Sequence, residues 1–132
     1  MNFQAESTRS GDEFEDLVLE DLQRSGHKNI KRHVVLKDLG IEVDFTYKTT
    51  FDTVYIEAKG GERGDKKRPG AKRTDNVKKA IANGALIKAD NPNIKYIVYF
   101  SDLPKHGSSS HKMIKKAIAA GYVDAFKYLI KM

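Results

Sequence analysis

Asp44, Glu57 and Lys59 are the residues of this 132-residue chain whose types and spacing point most directly to chemistry. Ile41 to Tyr47 alternates, with Ile41, Val43, Phe45 and Tyr47 on one side and Glu42, Asp44 and Thr46 on the other. Thr53 to Lys59 alternates as well, with Val54, Ile56 and Ala58 opposed by Tyr55, Glu57 and Lys59. The short connection Thr49 to Asp52 makes the two an antiparallel hairpin. Glu57 and Lys59, two apart, share a face. A symmetric connection sets Lys48 opposite Thr53, and counting back sets Asp44 opposite Glu57. Opposed side chains have Cβ atoms roughly 4.5–5.5 Å apart, and like charges there destabilise a sheet. Two carboxylates so placed call for a cation, either Lys59 or a divalent metal. Mg²⁺ is commonly held by one or two carboxylates together with phosphate oxygens and water.

Phosphodiester hydrolysis is the chemistry that such a set supports. A metal on Asp44 and Glu57, helped by the Ala58 carbonyl, polarises a phosphate and lowers the pKa of a water. Lys59 orients or deprotonates that water, or stabilises the charge that builds on phosphorus. Gly60 and Gly61 follow at once and let a backbone approach closely.

Val43-Asp44, then Glu57-Ala58-Lys59 after a hairpin, with an acidic residue on a preceding helix, resembles the PD-(D/E)xK nuclease superfamily, the restriction-endonuclease-like fold. Val43 stands where that motif has proline. The N-terminal half is most similar to the archaeal-type Holliday junction resolvases, through Gly11 and Phe14-Glu15 at the start of a helix. The resemblance implies Asp44, Glu57 and Lys59 as a catalytic triad and Glu15 as the helix-borne acid that completes or supports the metal site. Glu13 is the competing acid on that helix. The implied activity is a Mg²⁺-dependent DNA endonuclease, with Mn²⁺ able to substitute, acting as a homodimer so that both strands are cut. Branched DNA, junctions and short duplex sites are all compatible.

The elements that must position these residues are legible as a series. Residues 1–10 carry no apolar periodicity and read as a flexible tail, leaving 11–132 as one domain. Gly11 to Ser25 reads as a helix, with Phe14, Leu17, Val18 and Leu22 at helical spacing and acids in its first turn. Asn29 to Leu36 reads as a strand, closed by a turn at Asp38-Leu39-Gly40. After the hairpin, Thr74 or Asp75 caps a helix with Val77, Ala80, Ile81, Gly84 and Ile87 inward. Tyr96 to Phe100 is a continuous apolar run that suits a central strand. Met113, Ile114, Ala117 and Ile118 mark another helix, and Tyr122, Phe126, Leu129 and Ile130 a last one, whose surface with its predecessor is available to a dimer. The expected fold class is α/β: a restriction-endonuclease-like core, its mixed central sheet flanked by helices in the order α-β-β-β-α-β-α-α.

Charge distribution fits a polyanionic partner. Residues 1–58 hold 7 Lys/Arg against 12 Asp/Glu, whereas residues 59–79 hold 9 against 3. Arg63, Lys66, Lys67, Arg68, Lys72 and Arg73 lie in a Gly-rich loop, and Lys78 and Lys79 extend the stripe onto the next helix. These eight are the expected contacts to DNA phosphates, which supply affinity and salt dependence rather than sequence reading. The chain has no cysteine, which excludes disulfides, thiol catalysis and thiolate zinc sites. No apolar run is long enough for a membrane span, and the default location is cytoplasmic.

Other candidates have simpler explanations. Glu42 shares the Asp44 face but reads as a solvated strand residue. His106 and His111 lack a third ligand at metal spacing. Ser108 to Ser110, Thr74 and Asn76 are explained by helix capping, and Tyr96, Tyr99 and Phe100 by the core. Two alternatives to the nuclease follow: a non-catalytic nucleic-acid-binding module on the same scaffold, and an interaction protein that binds an acidic partner.

Overall fold

The computed structural model describes residues 3–60 and 74–130, with side chains from residue 13 onward. Its elements are α1 (Phe3–Arg24), β1 (Lys31–Leu36), β2 (Ile41–Lys48), β3 (Thr53–Lys59), α2 (Thr74–Asp90), β4 (Lys95–Phe100), α3 (Ser109–Ala120) and β5 (Ala125–Tyr128). The five strands form one mixed sheet in the order β1-β2-β3-β4-β5. The first three strands are antiparallel, as hairpin connections require, and β3, β4 and β5 are parallel, each joined to the next by a crossover helix.

The helices cover both faces. Phe14, Val18 and Leu22 of α1 are buried against Phe45, Tyr47, Val54, Ile56 and Tyr99. Val77, Ala80 and Ile87 of α2 pack with Ile114 and Ala117 of α3 over Val43, Tyr96, Val98 and Phe100. The apolar run of β4 thus serves both cores, which is why it carries no polar alternation. Leu17, expected on the inner stripe of α1, sits at its rim and is half-exposed.

The hairpin register is as counted, with Lys48 opposite Thr53 and Phe45 opposite Ile56. Its turn closes on itself, as the Thr49 N–H donates to the Asp52 carbonyl at 2.8 Å and the Asp52 N–H to Thr49 Oγ1 at 3.0 Å. One expectation fails within β2. Val43 belongs to the α2/α3 core, whereas Phe45 and Tyr47 belong to the α1 core, so the inward side of the strand changes across Asp44. The neighbouring strand is irregular at the same level, where His33 has φ 56°.

Two element readings are corrected. The first helix begins at Phe3, eight residues before the expected start at Gly11, because helix needs no apolar stripe once a following stretch is anchored. The last expected helix is instead strand β5, so the observed order is α-β-β-β-α-β-α-β. Gly121, at φ 80°, ends α3 in the left-handed conformation and donates to the Ala117 and Ile118 carbonyls. Asp124 then ties the chain to the sheet, accepting the Tyr96 N–H at 2.8 Å and Lys88 Nζ at 2.6 Å. Past it the open edge of β4 offers unpaired backbone groups, which β5 fills. Phe126 and Tyr128, two apart, stack on Phe100 with ring centroids 5.7 and 6.1 Å away. A short apolar run fits either period, and the free strand edge decided it.

Candidate metal centre

Each acidic residue of the candidate site is held by a different element. Asp44, on β2, stands one position beyond the last β2–β3 pair, and its Oδ2 accepts the backbone N–H of Ala58 at 2.7 Å. Glu57 lies on β3, where its side chain is 7% exposed, with Lys59 Nζ 3.5 Å from Oε1. The other oxygen of Glu57, Oε2, is buried without a hydrogen-bond partner. Glu15 comes from α1, placed there by its neighbour Phe14, which is buried against the sheet. Glu13 is exposed, which decides between the two acids of that helix in favour of Glu15.

The sequence reading passed over His33. Its Nε2 is 3.3 Å from Glu15 Oε2 and its Nδ1 is 3.2 Å from Glu42 Oε1. Glu15, His33 and Asp44 each offer a ligand atom, and the three atoms lie within 4.8 Å of one another. Among the described residues this is a cluster of side chains able to coordinate a divalent metal such as Mg²⁺. Counting back across the turn at Asp38-Leu39-Gly40 would have found it, since Leu36 pairs with Ile41 and Val34 with Val43, which sets His33 level with Asp44. Arg32 was missed too. Its Nη2 reaches Glu15 Oε2 at 3.2 Å and Asp16 Oδ1 at 2.9 Å, while the guanidinium lies 5.5 Å from the centroid of the Phe45 ring.

The electrostatics are those of a centre with an excess of negative charge. Burial, and then the charge of Glu57, push Asp44 up to about 6 from its ordinary 3.8, against the pull of the Ala58 N–H. Burial also raises Glu57, and Lys59 first, then the side chains of Asp44 and Asn83, oppose that rise. Glu15 is raised by burial and by Asp44, with Arg32 and His33 acting the other way. Lys59 and Arg32 therefore balance part of the charge. A buried carboxylate oxygen with no partner is costly, and coordination of a dication satisfies it. The donor set fits a divalent cation on that ground.

The remaining candidates fall as follows. Lys78 and Lys79 are exposed on α2, whereas Arg63, Lys66, Lys67, Arg68, Lys72 and Arg73 lie outside the described residues. A Cβ on Gly60 would stand 2.7 Å from Phe14 Cβ, so Gly60 is required by the seating of α1, a role independent of any phosphate. Ser108 caps α3, accepting the His111 N–H at 3.3 Å. His106 and His111 have ring centroids 4.7 Å apart, and His111 Nδ1 accepts the Gly107 N–H. A hollow of about 550 Å³ lined by Thr74, Leu103, Pro104, Lys105 and Ser108 to Ser110 follows the ends of β3 and β4, but none of the clustered acids lines it. No described helix is long and apolar enough to cross a membrane.

No protein-family model matches the chain, and no curated protein matches it. A mixed sheet flanked by helices, with clustered Glu, His and Asp at a hairpin, is consistent with a metal-binding fold of the general PD-(D/E)xK type.

Proposed function

We propose that this chain is a divalent-metal-dependent endonuclease that hydrolyses DNA phosphodiester bonds. The observation that carries the reading is Glu57: a carboxylate nine-tenths buried, with Oε2 unpartnered, beside the half-buried carboxylate of Asp44 and a lysine two residues along its own strand. Adjacent carboxylates drawn out of water without matching positive charge are costly, and a bound dication removes that cost.

In this reading Asp44, Glu57 and the Ala58 carbonyl hold the cation, with Glu15 supporting it. Bound there, a divalent cation polarises the scissile phosphate and lowers the pKa of a water. The Ala58 N–H fixes the orientation of the Asp44 carboxylate, and Glu57 holds the Lys59 ammonium at the same place. Lys59 then offers its charge to the phosphate oxygens as the water oxygen bonds to phosphorus and an ester oxygen leaves with its electron pair. The basic stretch 59–79 supplies phosphate affinity. Cutting both strands of a duplex, or a junction symmetrically, calls for two such centres and hence a homodimer.

Supercoiled plasmid and a synthetic four-way junction, incubated with the protein in Mg²⁺ and in Mn²⁺, test the proposal. Cleavage that stops in chelator and in Lys59→Ala is the expected result, and preference for the junction would assign a resolvase-like role. Binding of both DNAs without cleavage in either metal would overturn it in favour of a non-catalytic nucleic-acid module.

A further inference from the structure

We propose that His33 is itself a ligand of the cation, and that its imidazole biases the centre toward Mn²⁺ over Mg²⁺. The inference rests on the metal-centre reading above and adds to it a ranking of the two candidate ions. Three donors converge from three elements: a carboxylate from α1, an imidazole from β1 and a carboxylate from β2. The three ligand atoms lie within 4.8 Å of one another. Metal–oxygen distances of roughly 2.0–2.1 Å put neighbouring ligands of one octahedral ion about 3 Å apart. The His33 Nε2 to Glu15 Oε2 distance of 3.3 Å is close to that edge. Glu57, nine-tenths buried with Oε2 unpartnered, interacts with the Asp44 member of the cluster and adds a second carboxylate short of positive charge beside it.

His33 is also oriented as metal-bound histidines usually are. Its second ring nitrogen, Nδ1, is engaged by Glu42 Oε1 at 3.2 Å, which leaves Nε2 facing Glu15. Glu42 thus gains a role as the carboxylate behind a ligand, although it sits on the exposed part of β2. An imidazole donor separates the candidate ions by chemistry. Mg²⁺ prefers oxygen ligands and retains its waters, whereas Mn²⁺ shares its octahedral, carboxylate-rich preference and also accepts nitrogen. Asp44, Glu57 and a carbonyl alone would give no such bias.

The experiment is pulsed electron paramagnetic resonance of Mn²⁺ bound to the full chain without nucleic acid, read for coupling to ¹⁴N, beside calorimetric titrations with Mn²⁺ and Mg²⁺. The native protein is expected to show imidazole nitrogen coupling. His33→Asn is the informative variant, because asparagine tolerates the positive φ of position 33 and its fold is checked by circular dichroism. It should lose the coupling and lower the Mn²⁺-to-Mg²⁺ affinity ratio by about ten-fold or more, the scale on which ligand-shell changes act. Glu42→Gln should keep the coupling. Bound Mn²⁺ without nitrogen coupling, or a ratio unchanged in His33→Asn, overturns the role of His33 and leaves the metal centre standing. Failure of both ions to bind overturns the metal-centre reading as well.

Discussion

Asp44 Oδ2 accepts the backbone N–H of Ala58 at 2.7 Å, one position past the last paired residues of β2 and β3, Phe45 and Ile56. A side-chain oxygen here does what a strand carbonyl does within the ladder. The contact anchors the carboxylate to main chain, so Asp44 stays ionisable, half-buried and fixed in direction at once. The inward side of β2 changes at the same residue, bringing Asp44 to Glu57 of the adjacent strand and also within reach of Glu15 on α1.

Removing that partly desolvated charge should stabilise the protein and abolish its response to metal. Asp44→Asn keeps an oxygen for the Ala58 N–H. A native value of about 6 against an ordinary 3.8 corresponds to about 2–3 kcal/mol of destabilisation when Asp44 is ionised. Urea denaturation in chelator at neutral pH should show Asp44→Asn as the more stable protein by an amount of that order. Added Mn²⁺ should raise the midpoint of the native protein and leave the variant unmoved. A variant less stable than the native protein in chelator would contradict the account.

The pH dependence of that difference has a definite sign. Between pH 3.8 and about 6 the native state binds the Asp44 proton more tightly than the unfolded chain does, so this group's contribution to stability declines as pH rises through the window. Glu15 and Glu57 are raised too and act in the same direction. The stability gap between Asp44→Asn and the native protein should be smallest near pH 4 and fully developed above about pH 6–7. Paired urea titrations across that range check it, and a gap that narrows with rising pH would refute it.

Lys59 should matter to rate far more than to binding. Lys59→Ala removes the ammonium 3.5 Å from Glu57 and is expected to slow single-turnover cleavage by about 10²–10⁴-fold. Affinity for DNA should change little, because the rest of the basic stretch is untouched. Filter binding in Ca²⁺ and cleavage in Mn²⁺ separate the two effects. Equal losses in both would make Lys59 only one more phosphate contact.

Two glycines should prove intolerant for steric reasons. At Gly84 a Cβ would stand 2.4 Å from the Tyr122 carbonyl oxygen and 3.0 Å from the Tyr96 ring, and backbone cannot give way cheaply. Gly84→Ala should cost about 1–3 kcal/mol, read by denaturation. Gly60→Ala meets Phe14 at 2.7 Å and should push α1 away from the sheet. Because Glu15 follows Phe14, this variant should also weaken metal binding, whereas Gly84→Ala, on the inner face of α2 against Tyr96 and Tyr122, should spare it.

The strands of the hairpin and their register, from Lys48 opposite Thr53 to Phe45 opposite Ile56, were determined by sequence alone. Alternation has a period of two, and a four-residue connection leaves a single symmetric pairing, so counting suffices. The amphipathic inner faces of α2 and α3 were legible for the same kind of reason, each being set by neighbours a few residues apart. Tertiary structure decided the rest. Residues 125–128 joined the sheet because β4 had a free edge, a fact no local period records. Glu15 was chosen over Glu13 by the way Phe14 seats α1 against Gly60. His33 entered the centre because its positive φ and its level beside Asp44 bring the imidazole to an acid on a different element. Local sequence specifies periods and turns, whereas a metal centre is assembled from groups far apart in the chain, and only packing brings those together.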